Sequence, residues 1–251
     1  MKIRIGHLYP DHLNIYADRG NMAVLARRAE WRGIGFEWQG IGPGEPLDPA
    51  AFDLLYVGGG QDREQALVAP DLAARGQALE EALSRGAAIL AVCGGYQLLG
   101  RFYRDRAGVE LPGAGIFDHH TIAGEGRMIG DVLLDCELQP DLRRPLAGFE
   151  NHAGRTILGD RAEPLGRVVA GFGNDGRSGF EGCRRGRAIG TYLHGPLLPR
   201  NPWFADWLLA QALTGPTGEP PELEPLSDDL EADAQHVSAE RARSRGGRGL
   251  S

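Results

Sequence analysis

Cysteine is scarce in this chain. Among 251 residues there are three, Cys93, Cys136 and Cys183. Their odd number and wide spacing exclude a disulfide framework and the paired spacings of a structural zinc site. No apolar run reaches the roughly 20 residues that a membrane-spanning helix needs. Residues 1–10 form a strand-like run carrying Lys2 and Arg4, without the apolar centre of a signal peptide. A cytoplasmic location and no integral membrane segment are therefore expected. An excess of positive charge is missing too. The formal net charge is -7, which argues against electrostatic capture of nucleic acid or of an anionic membrane. No internal repeat and no metal-ligand cluster is visible. What remains is ordinary for a globular protein, 42% hydrophobic and 24% charged. The length suits one sizeable α/β domain or two small ones.

Short apolar runs alternate with helical spacing through the first half. Lys2 to Leu8 reads as a strand, and Asp11 to Gly20 as a polar loop. Asn21 to Trp31 reads as a helix stopped by Gly33. Strands follow at Ile34 to Gly40 and Asp53 to Val57. A helical segment runs to Arg85, with an interruption expected at Pro70. Ala87 to Val92 is the next strand. This alternation predicts a mostly parallel sheet flanked by helices. Beyond about Arg106 short strand-like runs take over, at 131–134, 156–158, 167–172 and 188–193. They predict added antiparallel strands in the second half. Asn201 to Leu213 reads as a helix with Pro202 in its first turn. The domain is expected to span residues 1–214. Residues 215–251, rich in Pro and charge, read as a tail without a core.

Three segments carry chemistry. In AAILAVCGGYQLLG (Ala87 to Gly100) a buried strand runs straight into Cys93, and two glycines open an apolar helix. That is the pattern of a nucleophile elbow. A helix N-terminus beside the sulfur favours the reactive thiolate, and the Gly94 N–H is placed for a developing oxyanion. A lone cysteine is far more often a small buried hydrophobe. The strand–Cys–Gly–Gly context reverses that preference for Cys93, whereas Cys136 and Cys183 lack it and read as structural. In LLYVGGGQD (Leu54 to Asp62) glycines again follow a strand. No phosphate-loop Gly-Lys-Ser/Thr ending follows them, so Gly59 and Gly60 are the candidates for the other side of an oxyanion hole. In AIGTYLHGPLLPRNP a strand delivers His194 to its end, a placement for a base that meets Cys93 only in the fold.

These segments, in this order, resemble the triad-type (class I) glutamine amidotransferases, in the branch that includes cobyric acid synthase. From about Ile3 to Leu213 the chain resembles the small glutaminase subunits of lipid II isoglutaminyl synthase. The narrower likeness rests on HLYPDHLNIYADRGN (His7 to Asn21) and GFENHAGRT (Gly148 to Thr156). The resemblance implies a flavodoxin-like fold and hydrolysis of L-glutamine by Cys93 and His194. It implies delivery of ammonia to a Mur-ligase-like synthetase subunit, in a heterodimer. That partner would use ATP and Mg to activate D-glutamate of lipid II, and ammonia would convert it to D-isoglutamine in peptidoglycan synthesis. No cofactor is expected in this chain. Arg127 carries over as the group that holds the glutamine substrate, and Gln97, one helical turn past Cys93, as a second substrate contact.

One departure stands out. Many relatives of this type carry His-x-Glu, but here Gly195 and Pro196 follow His194. The third acid is then absent, internal with Glu150 as the candidate, or supplied by the partner. Three other readings remain beside the main one. They are an amidotransferase serving a corrinoid synthetase, a non-catalytic binding subunit on the same fold, and a cysteine peptidase of related type.

Overall fold

The computed structural model describes residues 1–15, 19–139, 141–216 and 218–245. In chain order the elements are β1 Lys2–Leu8, α1 Arg19–Glu30, β2 Gly35–Ile41, β3 Leu54–Val57, α2 Asp62–Ala74, α3 Gly76–Ser84, β4 Ala88–Val92 and α4 Gly94–Leu98. The second half holds β5 Phe102–Arg104, β6 Glu110–Pro112, β7 His119–Gln139, β8 Leu142–Leu158, β9 Gly166–Ala170, β10 Phe180–Glu181, β11 Cys183–Arg185 and β12 Ala188–Thr191. Helices α5 Leu197–Arg200, α6 Pro202–Leu213 and α7 Asp229–Arg245 close the chain.

One sheet has the order β11-β12-β4-β3-β1-β2. All its pairings are parallel except that of β11 with β12. Its central strands are wholly buried, LLYV in β3 and AILAV in β4, as expected where helices cover both faces. The order decides where the site lies. β3, β4 and β12 are neighbours, so the segments after their carboxyl ends meet at one edge of the sheet. These are Gly58–Gly60, Cys93 and His194. Crevices beyond the carboxyl ends of parallel strands are where such folds bind ligands.

The second sheet, β10-β9-β7-β5-β6 with β8 on β7, is antiparallel apart from the β5–β7 pair. Its strands are longer than the sequence pattern indicates: β7 has 21 residues and β8 has 17. Glycines and charges inside them face solvent or line the site, which hides the strand period. A register shift between Ala123 and Met128 bulges β7, and Arg127 sits on that bulge.

Two expectations are corrected. Pro70 does not interrupt its helix but lies inside α2. Pro70 and Ala66, four residues before it, are both exposed, so water can satisfy the carbonyl that proline leaves without a partner. The break comes at Arg75 instead. Gly76 follows it, and a Cβ there would lie 2.6 Å from the Ala114 carbonyl oxygen.

The tail expected from residue 215 is likewise corrected over 229–245, which form α7. Ala239 and Ala242 are buried with Leu133, Ala147 and Ala170. The Arg28 guanidinium, 2% exposed, grips Asp206 of α6 and Asp228 just before α7. Small alanines and a charged clamp dock this segment, so its low hydrophobicity misleads. Thr217 and residues 246–251, also part of that expected tail, lie outside the described residues. Among the described residues no helix is long and apolar enough to cross a membrane.

Candidate active site

Cys93 occupies the elbow between β4 and α4 with φ 51° and ψ -106°. Only one other described non-glycine residue, Tyr9, has positive φ. Such backbone costs about 1–3 kcal/mol and persists where the surroundings enforce it. Here they do: the Cys93 N–H donates to the Thr191 carbonyl at 2.8 Å, and the Cys93 carbonyl accepts from Gln97 N–H at 2.9 Å. Glycine is required just after it. A Cβ on Gly95 would lie 2.5 Å from the Val57 carbonyl oxygen, and one on Gly94 2.8 Å from the Gly60 nitrogen.

That last distance brings the two glycine segments together. The Gly59 carbonyl accepts from Ile15 N–H at 3.2 Å. In a trans peptide the next N–H points the opposite way, so the Gly60 N–H is turned from the Ile15 loop. The Gly60 carbonyl is held in turn by Gln65 Nε2 at 3.0 Å. Gly60 and Cys93 line one cavity of about 430 Å³, together with Asp62, Gln97, Arg127 and His152. Gly59 and Gly94 each stand one residue back from that wall.

His194 follows β12 and is fixed by a two-bond bridge to Phe149 of β8, at 2.8 and 3.2 Å. It is buried. Burial pushes its imidazole down to about 3, and the charges of His152 and Arg127 act in the same direction. The ring is therefore neutral near pH 7, the form that accepts a proton. Both of those neighbours line the Cys93 cavity, and His194 itself is not among its lining residues.

Arg127 reaches across the hairpin to Asn151, donating from Nε to Oδ1 and from Nη2 to the carbonyl, each at 2.8 Å. Gln97 is buried and donates from Nε2 to the Tyr192 hydroxyl at 3.1 Å. That hydroxyl also bonds Thr156 Oγ1 at 2.6 Å. His152 stacks on the Tyr192 ring, centroids 3.5 Å apart and 3° from parallel. Its Nδ1 is 2.8 Å from the Gly154 carbonyl oxygen. A carbonyl only accepts, so Nδ1 carries the proton in the neutral ring and Nε2 presents a lone pair.

Glu150 is engaged elsewhere. Its carboxylate accepts from the N–H groups of Phe172 and Gly173 at 2.6 and 2.9 Å. It lies 3.7 Å from His152 Nε2. Burial pushes the thiols of Cys136 and Cys183 up to about 12, consistent with inert cysteines.

The structure thus gathers Cys93, Gly60, Gln97 and Arg127 around one cavity, whose lining does not include Gly59, Gly94 or His194. The sequence pattern left other lining residues without a role, among them Asp62, Tyr103, Asn151 and His152. Asp62, Asn151 and His152 stood inside quoted motifs, GGGQD and GFENHAGRT. In the second motif the lining residues Asn151 to Gly154 are consecutive, so strand alternation, which sends i and i+2 to one face, gave no signal for them.

Comparison with known proteins agrees with this geometry. The model of the CobB/CobQ-like glutamine amidotransferase domain matches residues 4–202. The GatD subunit of lipid II isoglutaminyl synthase (glutamine-hydrolyzing) from Staphylococcus aureus (strain N315) is 37% identical, over 96% of each chain. The same subunit from Streptococcus pneumoniae (strain ATCC BAA-255 / R6) is 36% identical, over 91% of this chain and 87% of the relative. Cobyric acid synthase of Methylorubrum populi is 35% identical over 75% of this chain but only 39% of its own length. Among solved structures, PurLQS from Thermotoga maritima superposes with a TM-score of 0.55 at 19% identity, covering 77% of this chain and 88% of that one. A crystal structure of a glutamine amidotransferase superposes with 0.52 at 15%, covering 82% and 98%. These last two speak to the fold alone.

Proposed function

The chain belongs to the CobB/CobQ-like glutamine amidotransferase family, and from that premise we propose that it is the glutaminase subunit of a lipid II isoglutaminyl synthase. The observation that carries the reading is the meeting of Cys93, in strained elbow backbone, with Gly60 and Arg127 around one cavity. Arg127 holds the α-carboxylate of L-glutamine through its forked donors. Gln97, whose amide nitrogen is committed to Tyr192, turns its oxygen to the substrate. The Cys93 sulfur attacks the side-chain carbonyl carbon, and the C=O electrons move onto oxygen. The N–H groups of Gly60 and Gly94 stabilise that oxyanion, with Gly59 fixing the peptide behind Gly60. His194 takes the thiol proton and passes it to the departing ammonia. Water then opens the thioester and releases glutamate.

Ammonia passes, in this proposal, to a Mur-ligase-like partner in a heterodimer in the cytoplasm. ATP and Mg belong to that partner, which activates the α-carboxyl of D-glutamate in lipid II. In the same proposal the partner supplies an acid at His194, one of the alternatives left open by Gly195 and Pro196 standing where many relatives of this type carry x-Glu. Coverage supports lipid II over a corrinoid acceptor: the GatD relatives match along nearly their whole length, cobyric acid synthase along a minor part.

The test is ammonia release from L-glutamine by the purified chain, alone and with the synthetase subunit, for wild type and Cys93→Ser. We expect turnover that needs Cys93 and rises at least ten-fold on adding the partner. Equal turnover with and without partner would remove the partner-supplied acid. No turnover in either case would sink the glutaminase assignment.

A further inference from the structure

L-Glutamine presents three groups to its site: the amide, an α-carboxylate and an α-ammonium. The first two have partners above. The ammonium needs an acceptor, and a buried cation without one is expensive. The cavity wall carries two guanidinium groups, Arg63 and Arg127, and one carboxylate among its described residues, Asp62. Of the carboxylates nearby, Glu150 is fully buried and already holds two N–H groups, and Glu64 lines the adjoining pocket beside Asp11 and Arg19.

We propose that Asp62 is the specificity-determining residue that binds the α-ammonium group of the substrate, so that Asp62 and Arg127 together select a free α-amino acid. The inference rests on the glutaminase reading above. Asp62 directly follows the Gly58–Gly60 turn and Gln61, so it is held beside the oxyanion donors by the first turn of α2. The Tyr103 hydroxyl, itself on the cavity wall, donates to Asp62 Oδ1 at 3.2 Å. Burial, with Asp62 beside it, raises the Tyr103 phenol well above its ordinary range, so it stays a donor. One carboxylate oxygen is thereby anchored and the other left to accept from a ligand. A shorter account is also available: an acidic residue in a first helical turn steadies the helix dipole. The two accounts differ in whether the substrate's amino group matters.

The experiment compares L-glutamine with glutaramate, which keeps the amide and a carboxylate and lacks only the α-amino group. Rates of ammonia release are measured on the full chain, with the synthetase subunit present, for wild type and Asp62→Asn. Asp62→Asn should lower kcat/KM for L-glutamine at least ten-fold, mainly through KM, and change that for glutaramate less than two-fold. Equal losses on both substrates, or no loss on L-glutamine, would overturn the assignment. Calorimetric binding to Cys93→Ala keeps the two readings separable. Absence of turnover in wild type sinks the glutaminase reading, while a preference for L-glutamine over glutaramate that vanishes in Cys93→Ala/Asp62→Asn still reports Asp62. No such preference in the Cys93→Ala parent overturns Asp62 alone.

Discussion

Gly154 has no room for a side chain. A Cβ there would lie 2.3 Å from Gln97 Nε2 and 3.0 Å from the Tyr192 hydroxyl. Gln97 would have to leave its place one turn beyond Cys93. We expect Gly154→Ala to lower kcat/KM for L-glutamine at least ten-fold, about 1.4 kcal/mol of transition-state stabilisation, while circular dichroism stays that of wild type. Steady-state kinetics check this, and an unchanged kcat/KM would remove Gln97 from the substrate site. At this scale the sequence was most legible where chemistry demands a local pattern. Cys93 needs a strand before it and glycines after it, and those neighbours are contiguous in the chain. Arg127 could be named only by resemblance, because its partner Asn151 lies across a hairpin. His152 and Asp62 stand inside the motifs GFENHAGRT and GGGQD, but no local pattern gives either a role of its own. They acquire a role from what the fold puts opposite them.

At the scale of elements, α7 packs on β7, β8 and β9, and an ionic clamp ties down the residue just before it. Arg28 faces both Asp206 and Asp228, and Arg32 also bonds Asp206. Gln235 adds bonds to the Pro145 carbonyl and to Asn201 Oδ1 at 3.1 and 2.8 Å. Removing one partner of a buried charge network leaves the others uncompensated, typically at about 3 kcal/mol or more. Arg28→Ala should therefore destabilise the chain by about 3 kcal/mol in urea unfolding. Amide hydrogen exchange should rise through 229–245 before it rises in the central sheet. Unaltered exchange in α7 would show that its alanines, not the clamp, hold it. Composition concealed this helix because alanine adds little hydrophobicity and its anchor is ionic. The long β7–β8 hairpin escaped a period-2 reading for a related cause: its bulge and site-lining residues break the alternation of polar and apolar positions.

At the scale of the molecule, buried histidines tie stability to pH. Burial, as the largest cause, lowers His7 to about 4 and His119 and His194 to about 3. In the unfolded chain a histidine titrates near 6.5. Between these values the unfolded state binds more protons than the folded one, so stability falls as pH drops from about 6.5. Each group contributes up to about 1.4 kcal/mol per pH unit. Glu181 opposes them. Burial raises it to about 8, so its contribution is full below the unfolded carboxylate range and is lost as pH rises toward 8. Three groups outweigh one on the acid side. The melting temperature should peak near pH 6.5, fall steeply toward pH 4.5 and fall more gently toward pH 8. A flat acid limb in scanning calorimetry would contradict this balance.

The chain by itself determined whatever depends on neighbours in sequence. Buried four- and five-residue apolar runs followed by glycine dictate parallel strands with open carboxyl ends, and a strand meeting Cys-Gly-Gly dictates an elbow. Tertiary structure decided what depends on which strands become neighbours. Placing β4 between β3 and β12 brings Cys93, Gly60 and His194 to one edge. Folding the β7–β8 hairpin over that edge adds Arg127, Asn151 and His152, turns Glu150 toward Phe172 and Gly173, and leaves Asp62 as the carboxylate facing the cavity. No local propensity encodes such meetings, because they are set by packing between segments far apart along the chain.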